Sequence, residues 1–113
     1  MTHVSTTELL DRLEREDRVH LDVLDEESMT VEIGRYTEGN SEPKNPHTGD
    51  EIYYIVSGSG KARVGDDTYD VSTGDVVFVE EGLEHDFFDI TEDITTLIVL
   101  AGSSDPAGYA MRE

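Results

Sequence analysis

Two side chains with metal-binding chemistry, His47 and Glu51, stand four residues apart in the segment Asn45-Pro46-His47-Thr48-Gly49-Asp50-Glu51. That spacing puts them on one side of either a helix or a strand. Pro46 and Gly49 interrupt a helix, and the β-favouring run Ile52-Tyr53-Tyr54-Ile55-Val56 follows, so an extended chain is expected. On it Asn45, His47 and Glu51 face one way, and Tyr53 and Ile55 continue that face. An imidazole and a carboxylate aimed into a protein interior are costly unless something compensates them. A divalent cation does so directly. His85 opens a later β-type run, sharing its parity with Phe87 and Asp89, and is the third expected donor. Two imidazoles and one carboxylate suit Fe(II), Mn(II), Zn(II) or Ni(II) and leave coordination positions open. Taken singly, each histidine is more often an ordinary surface or core residue.

Neighbouring residues divide between chemistry and packing. Asn45 is either a fourth, weaker ligand or a holder of bound water. Asp89 is either a carboxylate that orients His85 or a solvated residue at a strand end. Tyr53, Ile55, Phe78 and Phe87 are expected to wall a ligand pocket, although aromatics in a small barrel also serve as core filling. Tyr53 is the one candidate proton donor for catalysis. Asp50 has the wrong parity to join Glu51. His3 lies near the terminus and His20 at a strand edge, with no partner evident in sequence. Gly58, Gly60, Gly65 and Gly74 are expected in turns. No helix follows the Gly58-Ser59-Gly60 run, so it is no phosphate loop.

The elements that must position these residues begin with a helix over 5–18. Leu9, Leu10 and Leu13 recur at helical spacing, and Ser5 stands three residues before Glu8 as a capping box. From Val19 the texture changes to short β-type runs. These are 20–25, 29–36, 51–56, 61–64, 68–71, 76–79, 85–90 and 95–101, with a polar loop over 37–49 and turn residues between the others. Eight or so short strands after one helix indicate an all-β sandwich or barrel. A division into a helical arm (1–18), a β-barrel (19–102) and a mobile tail (103–113) is expected.

These residues resemble the small single-domain cupins of the conserved-barrel, RmlC-like type. In the first cupin motif a His-x-His pair precedes a Glu, which is followed by six residues and a Gly. Here His47 precedes Glu51 by the required gap, and Gly58 follows in register. In the second motif, Gly-x5-Pro-x-Gly-x2-His-x3-Asn, Gly74, Gly82 and His85 align. Asn45 replaces the first histidine, Glu80 the proline and Asp89 the closing asparagine. The resemblance implies a double-stranded β-helix, or jelly roll, and reduces the usual three-His-one-Glu site to two-His-one-Glu. It also implies a homodimer and small-molecule chemistry that ranges from oxygenases to isomerases, decarboxylases and epimerase-like enzymes. Fold alone does not choose among these. Three readings stand: a metal-dependent enzyme, a ligand-binding sensor or carrier without turnover, and a barrel whose metal is structural.

Composition narrows the partners. Twenty-seven acidic residues face eight basic ones, for a formal charge of −19. No basic stripe exists to displace counterions from a nucleic acid, and an anionic membrane would repel the chain. Sparse lysine and abundant carboxylate form a solvated coat suited to a salt-rich cytosol; a polyanion-mimicking partner surface is the other reading of that acidity. There is no cysteine, hence no disulfide or thiolate site. No apolar run is long enough to span a bilayer and no signal peptide is visible, so a cytoplasmic location is expected.

Overall fold

The computed structural model describes residues 3–16, 19–39 and 49–101. Helix α1 (Thr6–Arg15) is followed by strands β1 (His20–Asp25), β2 (Met29–Tyr36), β3 (Glu51–Val64), β4 (Asp67–Ser72), β5 (Val76–Val79) and β6 (His85–Ala101). All pairings are antiparallel. No helix among the described residues is long and apolar enough to cross a membrane.

The scaffold is a ribbon of two long strands. β3 and β6 pair along their whole lengths, from Glu51 opposite Leu100 to Val64 opposite His85. A straight strand of 14 residues would span about 46 Å, yet the molecule's longest dimension is 37 Å. The ribbon must therefore bend, and it does so where its register shifts between Ile55 and Lys61. One half of the ribbon is extended by β2 and β1 on the β6 side and by β5 on the β3 side. The other half carries β4. Folding the halves face to face makes the roll.

Two sequence expectations are corrected here. Residues 57–60 do not make a hairpin turn, and β6 is not two strands, so the described residues form six strands rather than eight or so. Glycine marked a bend inside a continuous strand. Gly58 has φ 103°, and a Cβ there would lie 2.1 Å from the carbonyl oxygen of Asp93 on the facing strand. Only a residue without a side chain lets the two strands approach at the bend. Across from Gly60, β6 carries Asp89 at φ 46°. Gly65 and Gly74 do sit in turns, as expected.

The alternation of each strand divides its side chains between an inner and an outer face. Inside lie Tyr36, Tyr53, Ile55, Ala62, Val71, Val77, Val79, Phe87, Ile90, Ile94 and Ile98, which form the main core. A second cluster joins Leu9 and Leu13 of α1 to Leu21 of β1 and Ile33 of β2 on the outer face. The Ser5 hydroxyl caps α1 by accepting from the Glu8 amide at 3.3 Å, as the sequence suggested. Leu9 and Leu13 are buried one turn apart; each contributes about 1.5–3 kcal/mol to holding the helix on the sheet.

Candidate functional site

The bend brings together residues at opposite ends of the ribbon. Glu51 starts β3 beside Val79 of β5. After Val79 the chain turns through Glu81-Gly82 and re-enters the sheet at His85. Glu51 and His85 thus converge on the inner face. His85 Nε2 lies 3.1 Å from Glu51 Oε1 and 3.1 Å from the Tyr53 hydroxyl. All three residues are at least 95 % buried, with exposures of 5 % (Glu51), 4 % (His85) and 3 % (Tyr53).

Counting hydrogens decides what this cluster needs. The Leu83 carbonyl, 3.0 Å from His85 Nδ1, has no hydrogen to give. Nδ1 is therefore the protonated nitrogen and donates, which leaves a lone pair on Nε2 in the neutral ring. That lone pair faces a carboxylate oxygen. It is within reach of the Tyr53 hydroxyl at 3.1 Å and, together with the Glu51 carboxylate, of a bridging proton or metal cation. A backbone carbonyl on Nδ1 is also a usual partner of a metal-binding histidine.

Tyr53 sits beside this pair as a persistent hydroxyl donor. Burial first, then the charge of Glu51, pushes its phenol well above the ordinary tyrosine range; Tyr36, a hydrogen bond to Glu51, and Glu32 add to the shift. Its ring meets His85 edge-on with centroids 5.7 Å apart, and meets Phe87 the same way at 5.3 Å. A pocket of about 10 Å³, room for one water or ion, opens here; Tyr53, Val77, Val79, His85, Asp86 and Phe87 contribute to its wall. Among the described residues, Oδ1 of Asp86 is a buried oxygen with no hydrogen-bond partner.

A family model of the cupin domain matches residues 20–101. This chain belongs to the cupin family. An uncharacterized protein of Streptomyces coelicolor is 38% identical over 96 residues, covering 81% of this cupin and 91% of its own length. Among solved structures, KdgF from Halomonas sp. superposes with a TM-score of 0.69 at 16% identity, covering 78% of this chain and 81% of that one. The DMSP lyase DddQ from Ruegeria pomeroyi gives 0.68 at 20% identity, over 76% of this chain and 47% of the lyase. An RmlC-like cupin from Shewanella frigidimarina gives 0.68 at 13% identity, covering 76% and 77%. At these identities the likeness shows the jelly-roll fold.

The cupin's expected site residues fare differently. Glu51, His85, Tyr53 and Phe87 come together on the inner face. Asn45 and His47 lie outside the described residues. Among the described residues no group of three or more His, Cys, Asp or Glu side chains gathers as a metal site. Ile55 is fully buried in the core and does not line the pocket. Phe78 is 57 % exposed on the outer face. The pairing of Glu51 with Val79 and Tyr53 with Val77 sends Val77 and Val79 inward and Phe78 out. Asp89 does not share the inward face of His85 and Phe87; it is exposed, because the bend in β6 breaks the alternation there. The Leu83 carbonyl holds the His85 ring in its place.

Sequence reasoning missed three inner-face residues. His20 Nε2 and the Tyr36 hydroxyl share a 2.6 Å hydrogen bond, and the Tyr36 ring packs on Phe87 with centroids 5.2 Å apart. Gly34 makes room for the His20 ring: a Cβ there would lie 3.0 Å from His20 Cδ2. Glu32 is half-buried on the same face, in register with Ile98, which is itself opposite Tyr53. The short turn at 26–28 was the available signal, since it forces β1 and β2 into a hairpin that sets His20 against Gly34.

Proposed function

We propose that this cupin binds one divalent metal ion (Fe, Mn, Zn or Ni) through His47, Glu51 and His85 and is a metal-dependent enzyme acting on a small organic molecule. Oxygenase or isomerase chemistry fits such a site best. The observation that carries the reading is the convergence of His85 Nε2 and Glu51 Oε1 at 3.1 Å in a buried cluster, with Nδ1 of the same ring held by the Leu83 carbonyl. His47, four residues before Glu51 in the sequence, is the third donor of this reading, with Asn45 as a further oxygen ligand or water holder.

A bound divalent ion supplies Lewis-acid polarisation of a carbonyl or, if it is redox-active iron, oxygen chemistry. The chain's own residues do the remaining work. The Leu83 carbonyl fixes the His85 tautomer. Tyr53 keeps its proton and offers it toward Glu51 and His85. Val77, Val79 and Phe87 keep bulk water from the cluster. The name of the Ruegeria protein states a lyase activity on the same fold, which supports an enzymatic reading here. The acidic coat supports a salt-rich cytosol as its setting.

A barrel that captures a small molecule without turnover is the alternative. The largely apolar wall of the pocket, in which Tyr53 is the only hydroxyl among the described residues, favours it.

Metal titration tests the site itself. Protein stripped with EDTA is titrated with Mn²⁺, Zn²⁺, Ni²⁺ and, without oxygen, Fe²⁺, and its melting temperature is followed. A cation that binds only the folded state raises that temperature in proportion to the logarithm of its concentration. The rise is expected for wild type and is lost in Glu51→Gln and His85→Ala. Melting that ignores all four ions would overturn the reading.

A further inference from the structure

Five rings touch one after another across the inner face. His20 meets Tyr36 edge-on with centroids 5.4 Å apart, Tyr36 meets Phe87 at 5.2 Å, Phe87 meets Tyr53 at 5.3 Å, and Tyr53 meets His85 at 5.7 Å. All four separations are those of direct ring contact. Tyr36, Phe87, Tyr53 and His85 are buried, whereas His20, at the start of β1, is half-buried. The row of rings therefore leads from the candidate site to a side chain that water reaches. At its outer end the Tyr36 hydroxyl and His20 Nε2 are 2.6 Å apart, close enough for a proton to cross directly.

We propose that Tyr36 and His20 are a redox-active pair, in which Tyr36 yields one electron to an oxidant at the site and its phenolic proton to His20. The electron moves inward along the rings to a one-electron oxidant, of the class of an oxidised iron or manganese ion, which is reduced by one electron. The O–H bond of Tyr36 breaks and an N–H bond forms at His20 Nε2, leaving a neutral phenoxyl radical beside an imidazolium. A reductant of the thiol or ascorbate class returns the electron, and the proton goes back to the phenol. The pair thus drains an oxidising equivalent that finds no substrate, away from the buried cluster.

Three features point to Tyr36. The chain has no cysteine and no tryptophan, so tyrosine is its readily oxidised ring. Burial, then the charges of Glu51 and Glu32, holds the Tyr36 phenol far above the ordinary tyrosine range. It cannot shed its proton to water, so losing an electron requires a base in contact, and His20 is one. Tyr53 is nearer the site, but the nitrogen it faces at 3.1 Å is Nε2 of His85, which a bound metal would occupy.

The pair rests on the metal reading for its native oxidant alone, so the first test supplies another. The full chain carrying Tyr54→Phe, Tyr69→Phe and Tyr109→Phe keeps Tyr36 and Tyr53 as its only tyrosines. Free of metal, it is oxidised by photogenerated tris(bipyridine)ruthenium(III), frozen and read by electron paramagnetic resonance. A tyrosyl radical is expected, forming more slowly in D₂O than in H₂O. Its yield should fall on the order of tenfold or more when Tyr36→Phe or His20→Phe is added. His20→Gln, which keeps a hydrogen-bonding side chain but no base, should do the same, and circular dichroism checks that each variant is folded. A chain that gives no radical would overturn the pair, as would a yield that ignores Tyr36→Phe or both His20 substitutions. In the second test the same chain is loaded with Fe²⁺ and treated with hydrogen peroxide, and the same radical is expected. Iron that binds without producing it would overturn the link from the site to Tyr36. A chain that passes the first test but binds no iron would sink the metal reading and leave the pair standing.

Discussion

His85 Nε2 and Glu51 Oε1 stand 3.1 Å apart, although the ribbon pairs Glu51 with Leu100 at one end and His85 with Val64 at the other. The contact exists because the β3–β6 ribbon folds back on itself, so the site and the bend stand or fall together. Strand pairing supplies the rigidity, and the bend supplies the convergence.

The bend should therefore be intolerant of side chains. Gly58→Ala adds a left-handed strain of about 1–2 kcal/mol to a clash with the Asp93 carbonyl. A loss of at least about 3 kcal/mol in urea unfolding is expected, or no folded protein. Gly74→Ala also has positive φ but meets nothing within 4 Å; it should cost only the strain. Equal costs for the two would show that the close approach at Gly58 is not what the fold requires.

Tyr53→Phe separates the metal-free network from the metal site. Losing the hydroxyl removes a buried donor that reaches His85 Nε2 and Glu51, which should cost the EDTA-treated protein about 1–3 kcal/mol. Metal binding should survive at wild-type strength, because neither Glu51 nor His85 is altered. A variant that unfolds like wild type when metal-free, or no longer binds metal, contradicts this assignment.

Alkaline pH should expose the buried tyrosines. Burial, then the charges of Glu51 and Glu32, pushes the Tyr36 phenol far above its ordinary value of 10.0. A raised folded-state value means that the stabilisation is complete below the unfolded value, near pH 10, and is lost as pH climbs above it. The urea midpoint should fall between pH 9 and pH 11.5, and Tyr36→Phe should flatten that fall. An unchanged slope in the variant would show that Tyr36 is not the group responsible.

A coat of carboxylates should make stability depend on salt. With a formal charge of −19, self-repulsion in the folded state relaxes as KCl rises toward molar concentration, and the melting temperature should rise with it. Melting that stays flat from low to molar KCl counts against salt adaptation.

Much of this was legible in the sequence, and the exceptions share a cause. The Ser5 cap, the hairpin of β1 and β2, and the parity of Glu51, Tyr53, His85 and Phe87 all follow from local spacing. What failed is what depends on the bend. Gly58 and Gly60 carry turn residues' composition yet sit inside β3, because the loss of side chains serves strand approach there and not chain reversal. Asp89 leaves its parity at the matching kink in β6. In β2 the polar residues Thr30, Glu32 and Tyr36 share the inner face, while Val31 and Ile33 face outward. Alternation alone assigns the apolar set to the barrel; it cannot see that α1 turns the outer face into a second core. Phe78 was misplaced because β5 has no charged residue to mark which of its faces is wet.

The metal content of the protein, purified from its own source in high salt, bears most directly on the central claim. Elemental analysis should find about one Fe, Mn, Zn or Ni per chain, and a small fraction of that in His47→Ala and His85→Ala prepared in the same way. Wild type carrying less than about a tenth of an equivalent, or variants as loaded as wild type, would mean that a proton bridges His85 and Glu51 and that no metal is held there.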